Sequence, residues 1–144
     1  KLAYAGGEPR IKLSETLNKI TIPHRKQVYR IKNGEGVWIG ADAVALDDEE
    51  DFGTMHHPFE PYKSLSLENC DKEPLLVKIM EDGKRSSAPR EVGEITRYAR
   101  KRLAQLPPEY TRFEYPHIYK VGLSDGLKEE RDRLIEEHRK AFKR

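Results

Sequence analysis

Lys12-Leu-Ser-Glu-Thr-Leu-Asn-Lys-Ile-Thr-Ile-Pro-His-Arg-Lys-Gln-Val-Tyr-Arg30 reads as a turn-rich connector between two short strands. Arg10–Leu13 and Lys26–Ile31 alternate polar and apolar residues, the period-2 pattern of half-buried strands. Ser14, Thr16 and Asn18 can hydrogen-bond the nearby backbone and favour turns. Pro23 fixes its own φ and holds Ile22 extended, which argues against a helix through this point. The cations Lys12, Lys19, Arg25 and Lys26 cluster here, but the stretch supplies no nucleophile–base pair and no metal-ligand spacing.

Outward from it, the chain is punctuated by turns. Gly6-Gly7-Glu8-Pro9 follows the short apolar Leu2–Ala5 and predicts a hairpin into Arg10–Leu13. Asn33-Gly34-Glu35-Gly36 lies between the expected strands Lys26–Lys32 and Val37–Leu46, a strong hairpin signal. Gly34, Gly36 and Gly40 miss the dinucleotide-binding Gly-x-Gly-x-x-Gly spacing by one and open into a strand. Asp47–Asp51 is an unbroken acidic run, read as a solvated turn in preference to a magnesium site. His56-His57 ends a short strand from Thr54; neighbouring residues there face opposite ways, which suits hydrogen bonding to an adjacent element better than zinc chelation. Residues 59–71 are irregular, and Pro74–Met80 is an apolar run that reads as another strand. Lys84, Arg85 and Arg90 belong to a solvated basic loop rather than a phosphate site.

From Pro89 the period changes. Val92, Ile95, Ala99, Leu103 and Leu106 fall on one helical face, with Ser87 as candidate N-cap, and Gly93 predicts close packing. Pro107-Pro108 ends that helix, Glu109–Phe113 allows one further turn, and Tyr119–Leu123 is extended. Ser124 then caps a last helix over Asp125–Phe142, whose narrow stripe Leu127, Leu134, Ile135 and Ala141 is interrupted by Arg131 and His138. Glu129–Arg133 and Glu136–Lys140 are spaced for ion pairs along it. Strands first and helices last give an α+β fold: antiparallel strands over 1–80, two or three helices over 87–144, and no internal boundary.

Hydrophobic and charged residues each make up 36% of the 144 residues. So lean a core implies either long helices largely in solvent or apolar surface meant for a partner. Interspersed charges with a net of +2 argue against nucleic acid as a partner. No apolar run approaches the roughly 20 residues that cross a bilayer. The single cysteine, Cys70, excludes an internal disulfide and fits a reducing cytoplasm. The chain begins at Lys1 without an initiator Met or a signal-like run, as a processed or truncated product would. No Ser/His/Asp arrangement, Walker loop or paired carboxylates are present.

The opening stretch also resembles a known segment. Lys12-Leu-Ser-Glu15, Lys19, Thr21, Pro23, Lys26 and Val28-Tyr-Arg30 are similar to the region that follows the barrel in nicotinate phosphoribosyltransferases. Leu106-Pro-Pro-Glu-Tyr110, Arg112, Pro116-His117, Tyr119 and Val121-Gly-Leu-Ser124 form a second match, in the family's order and at about its spacing. The resemblance runs from Lys1 to roughly Arg133 and is weakest between Gly34 and Leu76. Pro23-His24 departs from the family's usual Pro-Gly; glycine would allow φ > 0, whereas histidine implies a type I turn or a strained left-handed residue.

What the resemblance implies is a fragment of a larger type II phosphoribosyltransferase. That family joins nicotinate to phosphoribosyl pyrophosphate, giving nicotinate mononucleotide and pyrophosphate, with ATP hydrolysis and Mg²⁺. The phosphorylatable histidine, the phosphate-binding turn and most nicotinate contacts belong to the upstream barrel. No catalytic, cofactor or metal role therefore passes to this chain, and none of His24, His56, His57, His117 and His138 is the phosphohistidine. The expected partners are the preceding barrel and N-terminal domain, and a second subunit in a homodimer, with neither nucleic acid nor membrane. Lys12, Lys19, Arg25 and Lys26 are either solvated flanks or steer anionic substrate towards the barrel. The competing class is a free-standing α+β protein-interaction module.

Overall fold

The computed structural model describes residues 2–142. Tyr4–Ala5 (β1) and Glu8–Pro9 (β2) pair antiparallel across Gly6-Gly7. This hairpin is shorter than the alternation implied, because residues 10–13 join no strand. Lys12 instead exchanges hydrogen bonds with Thr21: its N–H reaches Thr21 Oγ1 at 2.7 Å, and the Thr21 N–H reaches the Lys12 carbonyl at 3.2 Å. A single 3-10 turn, Leu17–Lys19, closes the loop between them.

Lys26–Lys32 (β3) and Trp38–Leu46 (β4) form the central antiparallel hairpin, with a bulge between Arg30 and Lys32. Its turn is built as Asn-Gly suggests: Asn33 Oδ1 accepts the N–H groups of Glu35 and Val37 at 3.1 and 2.9 Å. Thr54–His56 (β5) and Ser64–Ser66 (β6) make a second hairpin. Asp71–Pro74 (β7) then pairs with β3.

The apolar run after Pro74, read as a strand, is not one; the strand precedes it. The Gln27 side chain clasps Leu76, accepting its N–H at 2.9 Å and donating to its carbonyl at 3.0 Å, and the chain turns off the sheet there. Met80–Glu81 (β8) and Lys84–Arg85 (β9) form an isolated hairpin beyond.

Val92–Leu103 (α1) and Pro108–Thr111 (α2) follow, then Lys120–Leu123 (β10) and Asp125–Phe142 (α3). The sheet order is β6-β5-β10-β4-β3-β7, and β10–β4 is the parallel pair. The strands of the first half are antiparallel as expected. The second half returns one strand into the middle of their sheet.

Alternation along β4 divides the packing. Ala41, Ala43 and Ala45 are buried on one face with Tyr29 and Ile31 of β3, and the sheet curls so that Phe52, Met55 and Leu67 close over them. Alanine leaves room for this closure, and Tyr29 meets Phe52 edge-on at 5.6 Å. Gly122 of β10 lies in the same layer, where a Cβ would stand 2.9 Å from that of Met55. The helix α3 packs on β4 and β5 and buries Leu127 and Leu134; Ile135 is half-buried, while Ala141 and His138 are exposed.

Three further expectations are corrected. The N-terminus of α1 is Glu91 rather than Ser87, with Glu94 Oε2 accepting the Glu91 N–H at 3.3 Å. The apolar face of α1 is left largely uncovered: no residue of the helix is buried, and Gly93 opens onto solvent. What holds α1 to the sheet is Arg102, bonded at 2.8 Å to Glu73 of β7, which also meets Lys32 at 2.8 Å. On α3, Arg133 pairs with Glu130 and Glu137 instead of Glu129, while Glu136–Lys140 forms as spaced.

The acidic run is not merely solvated. Glu49 folds back to the start of α3, where Oε2 accepts Ser124 Oγ–H at 2.5 Å and Oε1 accepts the Gly126 N–H at 2.9 Å. Oε2 also lies 3.3 Å from the Leu46 N–H, so one carboxylate ties the end of β4 to the first turn of α3. Replacing Glu49 by Ala strands these donors and should cost about 1–3 kcal/mol in urea unfolding. Asp48→Ala, beside it and exposed, should change stability by less than about 0.5 kcal/mol.

Candidate functional site between the Pro23 turn and the last helix

Pro23 is buried and His24 sits in the left-handed region at φ 69°. Of the two turns histidine implied, the strained one is adopted. Lys26 is the reason it can form. Its ammonium donates to the carbonyls of Ile22, Pro23 and His24 at 3.1, 2.9 and 2.5 Å, closing the turn on itself. Burial there lowers the Lys26 pKa from its ordinary value. His24 Nε2 in turn meets Glu130 of α3 at 3.0 Å.

Between this turn, the 57–61 loop and the outer side of α3 runs a groove of about 270 Å³. Ile20, Ile22, Pro58, Phe59 and Ile135 supply its apolar walls. Three of its charged groups are already engaged with one another. Arg131 donates to the Pro58 carbonyl at 2.6 Å and to Asp132 at 2.9 Å, and Lys128 reaches the same aspartate at 3.1 Å. Burial alone would raise the Asp132 pKa, but the hydrogen bonds from Arg131 and Lys128 outweigh it and hold the carboxyl below its ordinary range. Glu130 is lowered first by Arg133, against burial, and then by His24. His57 Nδ1 accepts the Glu60 N–H at 3.0 Å. The groove can receive an apolar group; it presents no acid–base pair poised for proton transfer.

A second cluster covers the far end of the sheet. The Trp38 indole N–H donates to Tyr119 Oη at 2.9 Å, the Arg30 guanidinium lies 3.7 Å over the Trp38 ring, and Arg30 meets Asp42 at 3.3 Å. Burial, then Asp42, raises the Tyr119 pKa well above the ordinary phenol value. Tyr110 stacks edge-on against Tyr119 and His117 and lies across Gly40. A Cβ at Gly40 would fall 2.2 Å from the Tyr110 ring, and φ is +69°, so glycine is required twice over. Beside this cluster, His56, Lys63, Ile118 and Lys120 border an open depression of about 710 Å³.

The sequence-selected cations are not assembled into one site. Lys12, Lys19 and Arg25 are exposed, with Arg25 4.9 Å over the Tyr4 ring, and Lys26 is engaged in its turn. The adjacent histidines divide as the strand geometry required. His56 bonds Asp125 at the start of α3 at 2.6 Å, and His57 turns to the 57–60 loop. Among the described residues no group of three or more His, Cys, Asp or Glu is placed to hold a metal ion. Sequence reasoning missed Glu49, Glu73 and the Gly40–Tyr110 contact. Only Gly40, a glycine inside an alternating strand, carried a local signal.

Thr21, Lys26, Tyr110, Tyr119 and Ser124 of the two motifs thus serve the turn, the aromatic layer and the start of α3. Residues 25–131 match the family profile of the nicotinate phosphoribosyltransferase C-terminal domain. The chain belongs to the nicotinate phosphoribosyltransferase family. It is 30% identical to the nicotinate phosphoribosyltransferase of Bos taurus over 138 residues, covering 93% of this chain and 26% of that protein. With the enzyme of Bacillus subtilis it shares 34% over 119 residues, covering 80% and 24%. A crystal structure of human nicotinic acid phosphoribosyltransferase superposes with a TM-score of 0.71 at 26% identity, covering 94% of this chain and 26% of that one. The chain therefore spans about a quarter of the length of these relatives.

The left-handed backbone at His24 defines a test. His24→Gly relieves the left-handed strain but loses the Glu130 contact; His24→Ala loses the contact and keeps the strain. The glycine variant should be more stable than the alanine variant by about 1 kcal/mol in denaturant unfolding. Glu130 gives a second test. Its lowered pKa means its contribution is present above the ordinary glutamate value of 4.5 and is lost as the pH falls through the folded value. Between about pH 5 and 2 the stability of Glu130→Gln should fall less steeply than that of the unaltered chain.

Proposed function

We propose that this chain is the C-terminal part of an enzyme that joins nicotinate to phosphoribosyl pyrophosphate, with Mg²⁺ and ATP hydrolysis supplied at its upstream barrel. The chain supports that barrel and the contacts of a homodimer, and by itself performs no transfer. The observation that carries this reading is the match of residues 25–131 to the family's C-terminal domain. The internal engagement of the groove's Lys128, Arg131 and Asp132 agrees with it.

Within this reading Lys12 and Arg25 stand exposed near the Pro23 turn and contribute to the field that guides anionic substrate. Lys26 serves the turn first. Isothermal titration of the isolated chain with phosphoribosyl pyrophosphate and Mg²⁺ should give no micromolar binding; such binding would refute the division of labour. In the full-length enzyme, Lys12→Gln combined with Arg25→Gln should raise KM for phosphoribosyl pyrophosphate more at low than at high ionic strength. Equal KM values at both would remove the steering role and leave the supporting one.

A further inference from the structure

The turn between β3 and β4 holds an asparagine in a geometry suited to attack by its own backbone. Asn33 Oδ1 accepts the Glu35 and Val37 N–H groups at 3.1 and 2.9 Å. The Asn33 N–H and carbonyl bond Val37 and Gly36 at 2.9 and 2.8 Å, so the residue is fixed at both its main chain and its side chain. The ring closed by Oδ1 and the Glu35 N–H contains both the Asn33 Cγ and the Gly34 nitrogen. The side-chain carbonyl is therefore folded back over the peptide group that follows it. Among the described residues neither Asn33 Nδ2 nor the Gly34 N–H makes a hydrogen bond. Gly34 is exposed and has no side chain to shield its nitrogen.

These are the parts of an intramolecular acyl transfer. The Gly34 nitrogen, once its proton is lost to solvent base, attacks the Asn33 Cγ. As the N–Cγ bond forms, negative charge moves onto Oδ1, where two N–H donors already stand at the distance that stabilises an oxyanion. The Cγ–Nδ2 bond then breaks, Nδ2 takes up a proton from water and leaves as ammonia, and a cyclic succinimide remains. Water opens this ring at either carbonyl. Hydrolysis of the new N–Cγ bond gives aspartate. Hydrolysis of the original peptide bond gives isoaspartate, with the main chain running through the former side chain. One water is consumed and one ammonia released, with no change in oxidation state.

The other asparagines lack this arrangement. Asn18 and Asn69 precede Lys19 and Cys70, whose side chains hinder the attacking nitrogen. Among the described residues neither has its Oδ1 held by backbone donors.

We propose that Asn33 is a self-modification site, at which the β3–β4 turn promotes cyclisation with Gly34 and conversion to aspartate and isoaspartate. Isoaspartate adds a methylene to the main chain of the loop that sets Lys32 opposite Trp38, so that end of the hairpin must rearrange. The intact polypeptide is aged in mildly alkaline buffer, once folded and once in urea, and the peptide carrying Asn33 is followed by chromatography and mass spectrometry. The folded protein should convert at least as fast as the unfolded chain and give both products, while Asn18 and Asn69 stay unchanged. Gly34→Ala should slow the conversion by about tenfold or more, because its methyl group obstructs the attack. That variant has room to fold: φ at Gly34 is not positive, and the added Cβ lies 3.5 Å from the Asn69 carbonyl oxygen.

Conversion slower in the folded protein than in urea would overturn the proposal, since the turn would then protect the asparagine. No conversion at all, or Gly34→Ala converting as fast as the unaltered protein, would do the same. Amide hydrogen exchange in β3 and β4 should be faster in the isoaspartate product; exchange equal to that of fresh protein would refute the rearrangement.

Discussion

The carboxylate of Glu49 ties two parts of the chain that are far apart in sequence. It joins the end of β4 to Ser124 and Gly126, and so to the first turn of α3. That placement lets β10 enter the sheet parallel to β4, with Gly122 against Met55. A parallel neighbour needs a long crossover, and here the crossover carries the hairpin β8–β9 and α1. Once β10 is fixed, His56–Asp125 and His24–Glu130 bring β5 and the Pro23 turn against α3. The groove beside the Pro23 turn is a consequence of those contacts.

A chain with equal shares of charged and hydrophobic residues can fold in this way because many of its charges are used inward. Lys26 closes a turn through three carbonyls, Arg30 covers Trp38, and Glu73 binds Lys32 and Arg102 together. Such groups cannot be lost singly without leaving a partner unsatisfied, which makes them costly to replace. The same engagement leaves the groove without a reactive pair. The lean core expected either solvated helices or uncovered apolar surface. Both occur, the first on the outer side of α3 and the second along α1.

What was legible in the sequence was local. Asn33-Gly34 specified its hairpin, Ser124 its helix start, and the alternation of β4 its two faces, because each depends on residues within a few positions. The interactions that decide the topology were hidden for a physical reason. Glu49 stands among chemically similar acids, and only the return of the chain some 75 positions later singles it out. Gly40 and Gly122 were visible as glycines, but the ring of Tyr110 and the side chain of Met55 that require them are distant in sequence. The face of α1 showed helical period but not whether anything covers it. At Pro23-His24 the family resemblance located the turn, and the Lys26 ammonium explains how histidine tolerates a glycine conformation there.

The central claim is that this chain completes an enzyme whose chemistry lies elsewhere in the same polypeptide. The most direct measurement is steady-state formation of nicotinate mononucleotide by four samples: the full-length polypeptide, this chain alone, the upstream part alone, and the two parts mixed. The account predicts activity in the full-length protein, none in this chain, a severe loss in the upstream part alone, and partial recovery on mixing. Transfer catalysed by this chain alone, or an upstream part as active and as well assembled as the full-length enzyme, would contradict it.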